Sequence, residues 1–184
     1  RIFITGNTKT NDYVIRREIR TKPGDLFNRN DIIRTQRELA QLGYFNEQAF
    51  QVNPMPNPAD GTVDIEYVVE EKSSDQIELS GGYGGSGIQG QSGRIIGTLG
   101  LTFNNFSTRN FFKKGAWTPL PGGDGQRLSI RAQTNGRFYQ GYNFSFTEPW
   151  LGGKKPNSLT YWMSHTALGN GYLPSNDLYT GIAI

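Results

Sequence analysis

VDIEYVVEEKSSDQIELSGGYGG, residues 63–85, holds the change of pattern on which the fold turns. In its first part Val63, Ile65, Tyr67 and Val69 alternate with Asp64, Glu66 and Glu70. That reads as a strand resting one face on a core. From Gln76 the alternation resumes with Ile77, Leu79 and Tyr83 on one face and Gln76, Glu78 and Ser80 on the other. It then continues to the last residue in segments of about ten residues, separated by Gly, Pro and Asn turns, as in the strands of a transmembrane β-barrel. Residues 1–72 therefore read as one small module and residues 73–184 as five to six strands of such a barrel.

The module reads as βααββ. IFIT, residues 2–5, is a short strand closed by Gly6-Asn7. Thr10 or Asn11 is placed to cap a helix over DYVIRREIR, residues 12–20, with Val14, Ile15 and Ile19 near one face. Pro23-Gly24 ends it. Asn30 is expected to cap a second helix, DIIRTQRELAQL, with Ile32, Gln36, Leu39 and Ala40 at helical spacing and Gly43 as its C-cap. Tyr44-Phe45 should open a strand to about Val52, followed by a turn over NPMPNPADG, residues 53–61. Three strands with two helices on one face make an α+β domain. Its expected core is Ile2, Ile15, Ile32, Leu39, Phe45, Ile65 and Tyr67.

Downstream, the apolar faces are Ile95, Leu99, Leu101 and Phe103; Leu128, Ile130 and Ala132; Phe138, Tyr142, Phe144 and Phe146; and Leu159, Tyr161 and Met163. A sixth strand is expected to start near Tyr179. Ten residues at ~3.3 Å rise and ~45° tilt cover roughly 23 Å, near the ~25 Å apolar band of such barrels. A soluble antiparallel sandwich would alternate too, but Arg127 and Arg131 opposite a wholly apolar strand face favour the barrel. The joints at 84–93, 135–137 and 168–177 would lie on the side away from the module. Those at 104–125 and 148–157 would lie near it, each with Trp or Phe beside Lys.

Composition agrees. Of 184 residues, 24 are Gly, against a usual ~7%, and 12% are aromatic, which suits strands, tight turns and interfacial girdles. Hydrophobic residues are 35% and mean hydropathy is −0.57, and no run approaches the ~20 apolar residues of a spanning helix. Cysteine is absent, which removes disulfides, thiol catalysis and thiolate metal sites. The net charge of +3 is scattered, with no basic stripe, so no nucleic-acid partner is expected. The sequence starts inside a strand pattern and GIAI, residues 181–184, stops within another, so it reads as a segment of a longer chain.

Several motifs resemble known modules. ITGN at 4–7, RREIR at 16–20, PGDLF at 23–27, LGYF at 42–45 and VDIEYVVEEK at 63–72 are together similar to a POTRA domain, the polypeptide-transport-associated module, and to the copy adjoining a barrel. GGYG at 81–84, NFSTRNFF at 105–112 and FSFTEPWL at 144–151 are similar to the first strands of an Omp85-family barrel, TEPW standing where the family has a T-N-P-Y step. One departure is WTPLPGGDG, residues 117–125, a long joint where the family has a short turn. The family's lid loop and closing strand lie outside this sequence.

The resemblance implies an outer-membrane assembly factor with its module in the periplasm. Its expected partners are nascent outer-membrane β-barrel proteins, periplasmic lipoprotein subunits and outer-membrane lipid. A secretion pore of two-partner or TamA-like type, or a passive channel, are the alternatives. The expected client-pairing edge is Gln76, Ile77, Glu78, Leu79, Ser80, Gly81, Gly82 and Tyr83, whose glycines weaken the strand. Arg16, Arg17, Glu18 and Arg20 are either a solvated face or a docking surface for a lipoprotein. Glu70, Glu71, Lys72 and Ser73 are the expected hinge between module and barrel.

No catalytic residue, cofactor or metal is expected. Gly82-Tyr83-Gly84-Gly85-Ser86-Gly87 has the spacing of a dinucleotide loop, but glycines and a strand follow where a helix must open. His165 sits among strand residues and reads as barrel wall. Asp64 and Glu66 read as the solvated side of a strand.

Overall fold

The computed structural model describes residues 1–84, 94–117, 120–135, 139–169 and 174–184. It gathers into two compact units, Arg1–Ser74 with Asn104–Gly125, and Asp75–Phe103 with Gln126–Ile184.

In the first unit the elements are β1 (Ile2–Thr5), α1 (Asp12–Arg16), α2 (Arg29–Gln41), β2 (Gln51–Asn57) and β3 (Thr62–Val68). The sheet order is β1-β3-β2. β1 runs parallel to β3 with Ile2 opposite Ile65, and β2 runs antiparallel with Val52 opposite Tyr67. Ile15, Ile32, Leu39, Phe45, Ile65 and Tyr67 are buried together with Val14, Ile19, Tyr44 and Val69, and Ile2 packs half-buried against them.

Five local expectations need correction. The first helix stops at Arg16, because Glu18 N–H bonds the Ile15 carbonyl and Ile19 N–H the Arg16 carbonyl, a tightened turn that keeps Ile19 in the core. The second helix starts at Arg29 and its cap is Asn28, whose side chain accepts from Asn30 N–H at 2.9 Å and donates to Asp31. The stretch from Asn53 to Asn57, read as a turn, is instead the body of β2. Pro54 and Pro56 share one parity of that strand, so an edge position lets their missing N–H groups fall on the unpaired side. Of the strand expected from Tyr44, only a single bridge between Phe45 and Glu71 forms before β2. Within α2 the inward position is Thr35, fully buried, rather than Gln36; its hydroxyl accepts from Arg20 N–H at 2.9 Å.

The second unit is one six-stranded antiparallel sheet in the order β4 (Gln76–Gly84), β5 (Arg94–Phe106), β6 (Gln126–Asn135), β7 (Tyr139–Glu148), β8 (Leu159–Gly169) and β9 (Pro174–Ala183). Asn104 to Phe106, the end of β5, belong to the first unit. β9 begins at Pro174 rather than near Tyr179: Gly169 pairs with Pro174 and Thr166 with Asp177, so the ladder runs through polar residues. A proline is tolerated at the first position of a strand.

The registers place the apolar residues on one face. Leu79 faces Leu99 and Ile77 faces Leu101. Ile130 faces Phe144, which faces Met163, and Phe146 faces Tyr161, which faces Ile182. The opposite face carries Ser129 against Ser145, Arg131 against Asn143 and Ser80 against Thr98. His165 stands on the apolar face, stacked on its cross-strand partner Tyr142 at 6.2 Å. On the polar face Trp162 lies over Gly181, its cross-strand partner, where a Cβ would meet the indole at 2.3 Å.

Candidate functional site

β4 is the terminal strand of the sheet, so among the described residues one of its edges is unpaired. Gln76 to Tyr83 are all exposed, with Ile77 at 76%, Leu79 at 81% and Tyr83 at 75%. Gly81 stands opposite Gly97 and Gly82 opposite Ile96, so the middle of the β4–β5 pair makes few side-chain contacts. On the polar face Glu78 reaches Arg131 at 3.1 Å, two strands away. Gly100, between them, makes this reach available, since a Cβ there would press to 3.1 Å from the Glu78 carboxylate. Gly85 to Gly87 of the glycine-spaced motif lie outside the described residues.

The four residues of the charged helix stretch each have partners inside the module. Arg16 pairs with Asp12 and approaches the Ile2 carbonyl; Arg17, little exposed, lies 3.5 Å from Glu18; Arg20 holds Glu38 through two nitrogens. The module's exit is also held. Asn46 N–H donates to the Glu70 carbonyl and Lys72 N–H to the Tyr44 carbonyl. The Glu71 carboxylate accepts from the backbone N–H of Thr8, Lys9 and Thr10 and from the Thr8 hydroxyl. Burial alone would raise its pKa, but these hydrogen bonds outweigh it and hold the group at about 2.

The joint from Asn104 to Gly125 folds onto the module. Asp124, buried, is the centre: its carboxylate accepts from the Asn11 amide at 2.8 Å, the Tyr13 hydroxyl and the Ser107 hydroxyl at 2.7 Å. Asn105 adds two bonds, donating to the Thr10 hydroxyl and accepting from Gly125 N–H. Burial, and next the bond to Asp124, push the Tyr13 hydroxyl up to about 12. Asn11 therefore caps nothing with its side chain; it is spent on Gly123 and Asp124. Gly123 and Gly125 have positive φ, and a Cβ at Gly123 would meet the Lys9 carbonyl at 2.5 Å, so the GGDG run lets this chain approach. Sequence reasoning marked the joint as unusual and missed this network. The signal was an isolated carboxylate between glycines, with Asn and Tyr at the start of the helix 111–113 residues earlier.

Among the described residues, no three His, Asp or Glu side chains converge to hold a metal. What the two units offer, each by itself, is a strand edge and a buried polar dock.

The POTRA family model, described as surface antigen variable number repeat, matches residues 1–72. The outer membrane protein assembly factor BamA of Neisseria meningitidis is 28% identical over 151 residues, 82% of this chain and 16% of that protein. BamA of Neorickettsia risticii is 35% identical over 84 residues, 46% of this chain and 11% of that protein. The chain holds a POTRA domain at residues 1–72 and is similar over most of its length to outer membrane protein assembly factors. It joins the barrel-adjoining POTRA domain to the N-terminal strands of the barrel. The same order recurs in the crystal structure of BamA from Haemophilus ducreyi lacking POTRA domains 1–3, with a TM-score of 0.69 at 21% identity over 98% of this chain and 30% of that one. The chain spans less than a fifth of the length of the curated relatives it matches. Its place is the outer membrane, with the POTRA domain in the periplasm.

Proposed function

We propose that the parent protein folds and inserts outer-membrane β-barrel proteins, and that β4 is the strand on which a client's terminal strand is received. One observation carries this reading: near the centre of β4, Gly81 and Gly82 stand opposite Gly97 and Ile96, so side chains hold this strand weakly to its neighbour and its pairing is easily exchanged. An unpaired row of N–H and C=O groups is costly in lipid and favours pairing with an incoming strand. The work is β-augmentation, with no covalent chemistry. Arg131 on Glu78 steadies the polar face of the edge without occupying its backbone groups. Periplasmic lipoprotein subunits are the proposed partners of the POTRA domain. At Arg16–Arg20 they would meet charges already engaged within the module.

Single cysteines at positions 76–83 of the full-length parent, crosslinked to a client stalled during insertion, provide the test. Pairing predicts crosslinks to the client's terminal strand in one register, on alternate positions. Crosslinks in no fixed register, or none while the client still inserts, would remove β4 from the reaction and leave a secretion or translocation role as the better reading.

A further inference from the structure

The joint also carries an exposed aromatic and basic stretch beside its dock on the module. Residues 107–117, STRNFFKKGAW, contain Arg109, Lys113 and Lys114 and no acidic residue. Phe112 is 91% exposed, Trp117 49% and Phe111 41%. These rings are not loose. Phe111 stands edge-on to Phe112 at 5.2 Å and to Trp117 at 5.0 Å, and Trp117 Nε1–H donates to the Phe111 carbonyl at 3.0 Å. The turn beneath is fixed by Lys113 N–H on the Asn110 carbonyl and Asn110 N–H on the Ser107 hydroxyl, and Ser107 is itself bonded to Asp124. An aromatic cluster held rigid in water, with two adjacent exposed lysines, needs a partner that is apolar at depth and anionic at its surface.

We infer that Phe112, Trp117, Lys113 and Lys114 form a docking surface for anionic phospholipid, the rings entering the headgroup boundary and the lysines meeting phosphates. Two observations select lipid over a protein partner. The segment is continuous with β5 and β6, so it lies within a few residues of membrane-spanning chain. The β7–β8 joint, at the same end of the sheet by strand alternation, repeats the composition with exposed Leu151, Lys154 and Lys155. Because Asp124 ties the joint to Asn11 and Tyr13, binding here holds the POTRA domain's first helix to the bilayer surface. The inference rests on the barrel reading above.

The test uses the full-length parent, cleared of cysteine, in vesicles of phosphatidylethanolamine with or without phosphatidylglycerol. A nitroxide on Phe112→Cys is compared with one on Leu99→Cys and one on Met55→Cys by collision with oxygen and with a water-soluble nickel complex. We expect a several-fold higher oxygen-to-nickel ratio at 112 than at 55 when phosphatidylglycerol is present, lost on adding Lys113→Glu and Lys114→Glu. A water-like signal at 112 beside a lipid-like one at 99 would overturn the docking surface and leave the barrel standing. Water-like signals at both would overturn the barrel reading and the docking surface with it. A lipid-like signal at 112 that ignores phosphatidylglycerol and the lysines would overturn the headgroup recognition.

Discussion

Glu71→Gln tests how the POTRA domain holds its own exit. In the wild type three backbone N–H groups and one hydroxyl converge on the carboxylate, at 2.6–2.9 Å for those on Oε2. Each charge-assisted bond contributes about 1.5–3 kcal/mol net in favourable settings, but four bonds on one half-buried group do not add. The depression of its pKa from 4.5 to about 2 also measures an interaction screened by solvent on one side. Discounting for that exposure leaves a loss of about 1–2 kcal/mol near neutral pH. The pH dependence gives a sharper test. A carboxyl whose folded pKa lies below its unfolded one stabilises the fold above the unfolded value, and this is lost as pH falls through the folded value. The wild-type advantage over Glu71→Gln should therefore be full above about pH 5 and vanish on approaching about pH 2. Urea titrations of residues 1–74 followed by circular dichroism at several pH values would show it. Equal stability at neutral pH, or a gap that does not change with pH, would refute the assignment of this carboxylate as the clamp.

The isolated module is expected to melt cooperatively, and Leu39→Ala, at a fully buried position, to cost about 2–5 kcal/mol in the same titration. Leu99→Arg, on the apolar face, should impair assembly into membranes by roughly 2–4 kcal/mol near the midplane, while Thr98→Arg, on the opposite face, is tolerated far better; equal effects in a folding titration into vesicles would sink the face assignment. Asp124→Asn should bring the Tyr13 hydroxyl down from about 12 toward its usual range, read by carbon-labelled tyrosine NMR across a pH series.

The parts of the fold that follow from periodicity were legible. From β4 to β8 the described strands follow the period-two alternation, because register in a sheet with one apolar face is set by it; β5, however, runs on to Phe106, into the stretch read as a joint, and Phe138, expected on the apolar face of β7, lies outside the described residues. The helical part of the module's core was legible from a different period: Ile15 and Ile19 fall near one face of the first helical stretch, and Ile32 and Leu39 near one face of α2. What escaped depends on partners distant in sequence. Asn11 has the composition of a helix cap but is drawn to Asp124, 113 residues on. Pro54 and Pro56 signal a turn until the neighbouring strand shows that their side of the ladder is an edge. Thr35 was hidden because a buried hydroxyl is readable only through its donor, Arg20 N–H. β9 was placed late because SND, residues 175–177, carries no apolar alternation, and pairing with β8 alone extends it.

The central claim is that the working element is the edge of β4. Locking this strand to the closing strand of the full-length parent by an engineered disulfide, under oxidising conditions, isolates it. The account predicts a folded, membrane-resident barrel that inserts no client until reductant is added, whereupon the rate returns. A locked protein that inserts clients at the unlocked rate would contradict the account and leave the glycines of β4 with a structural role alone.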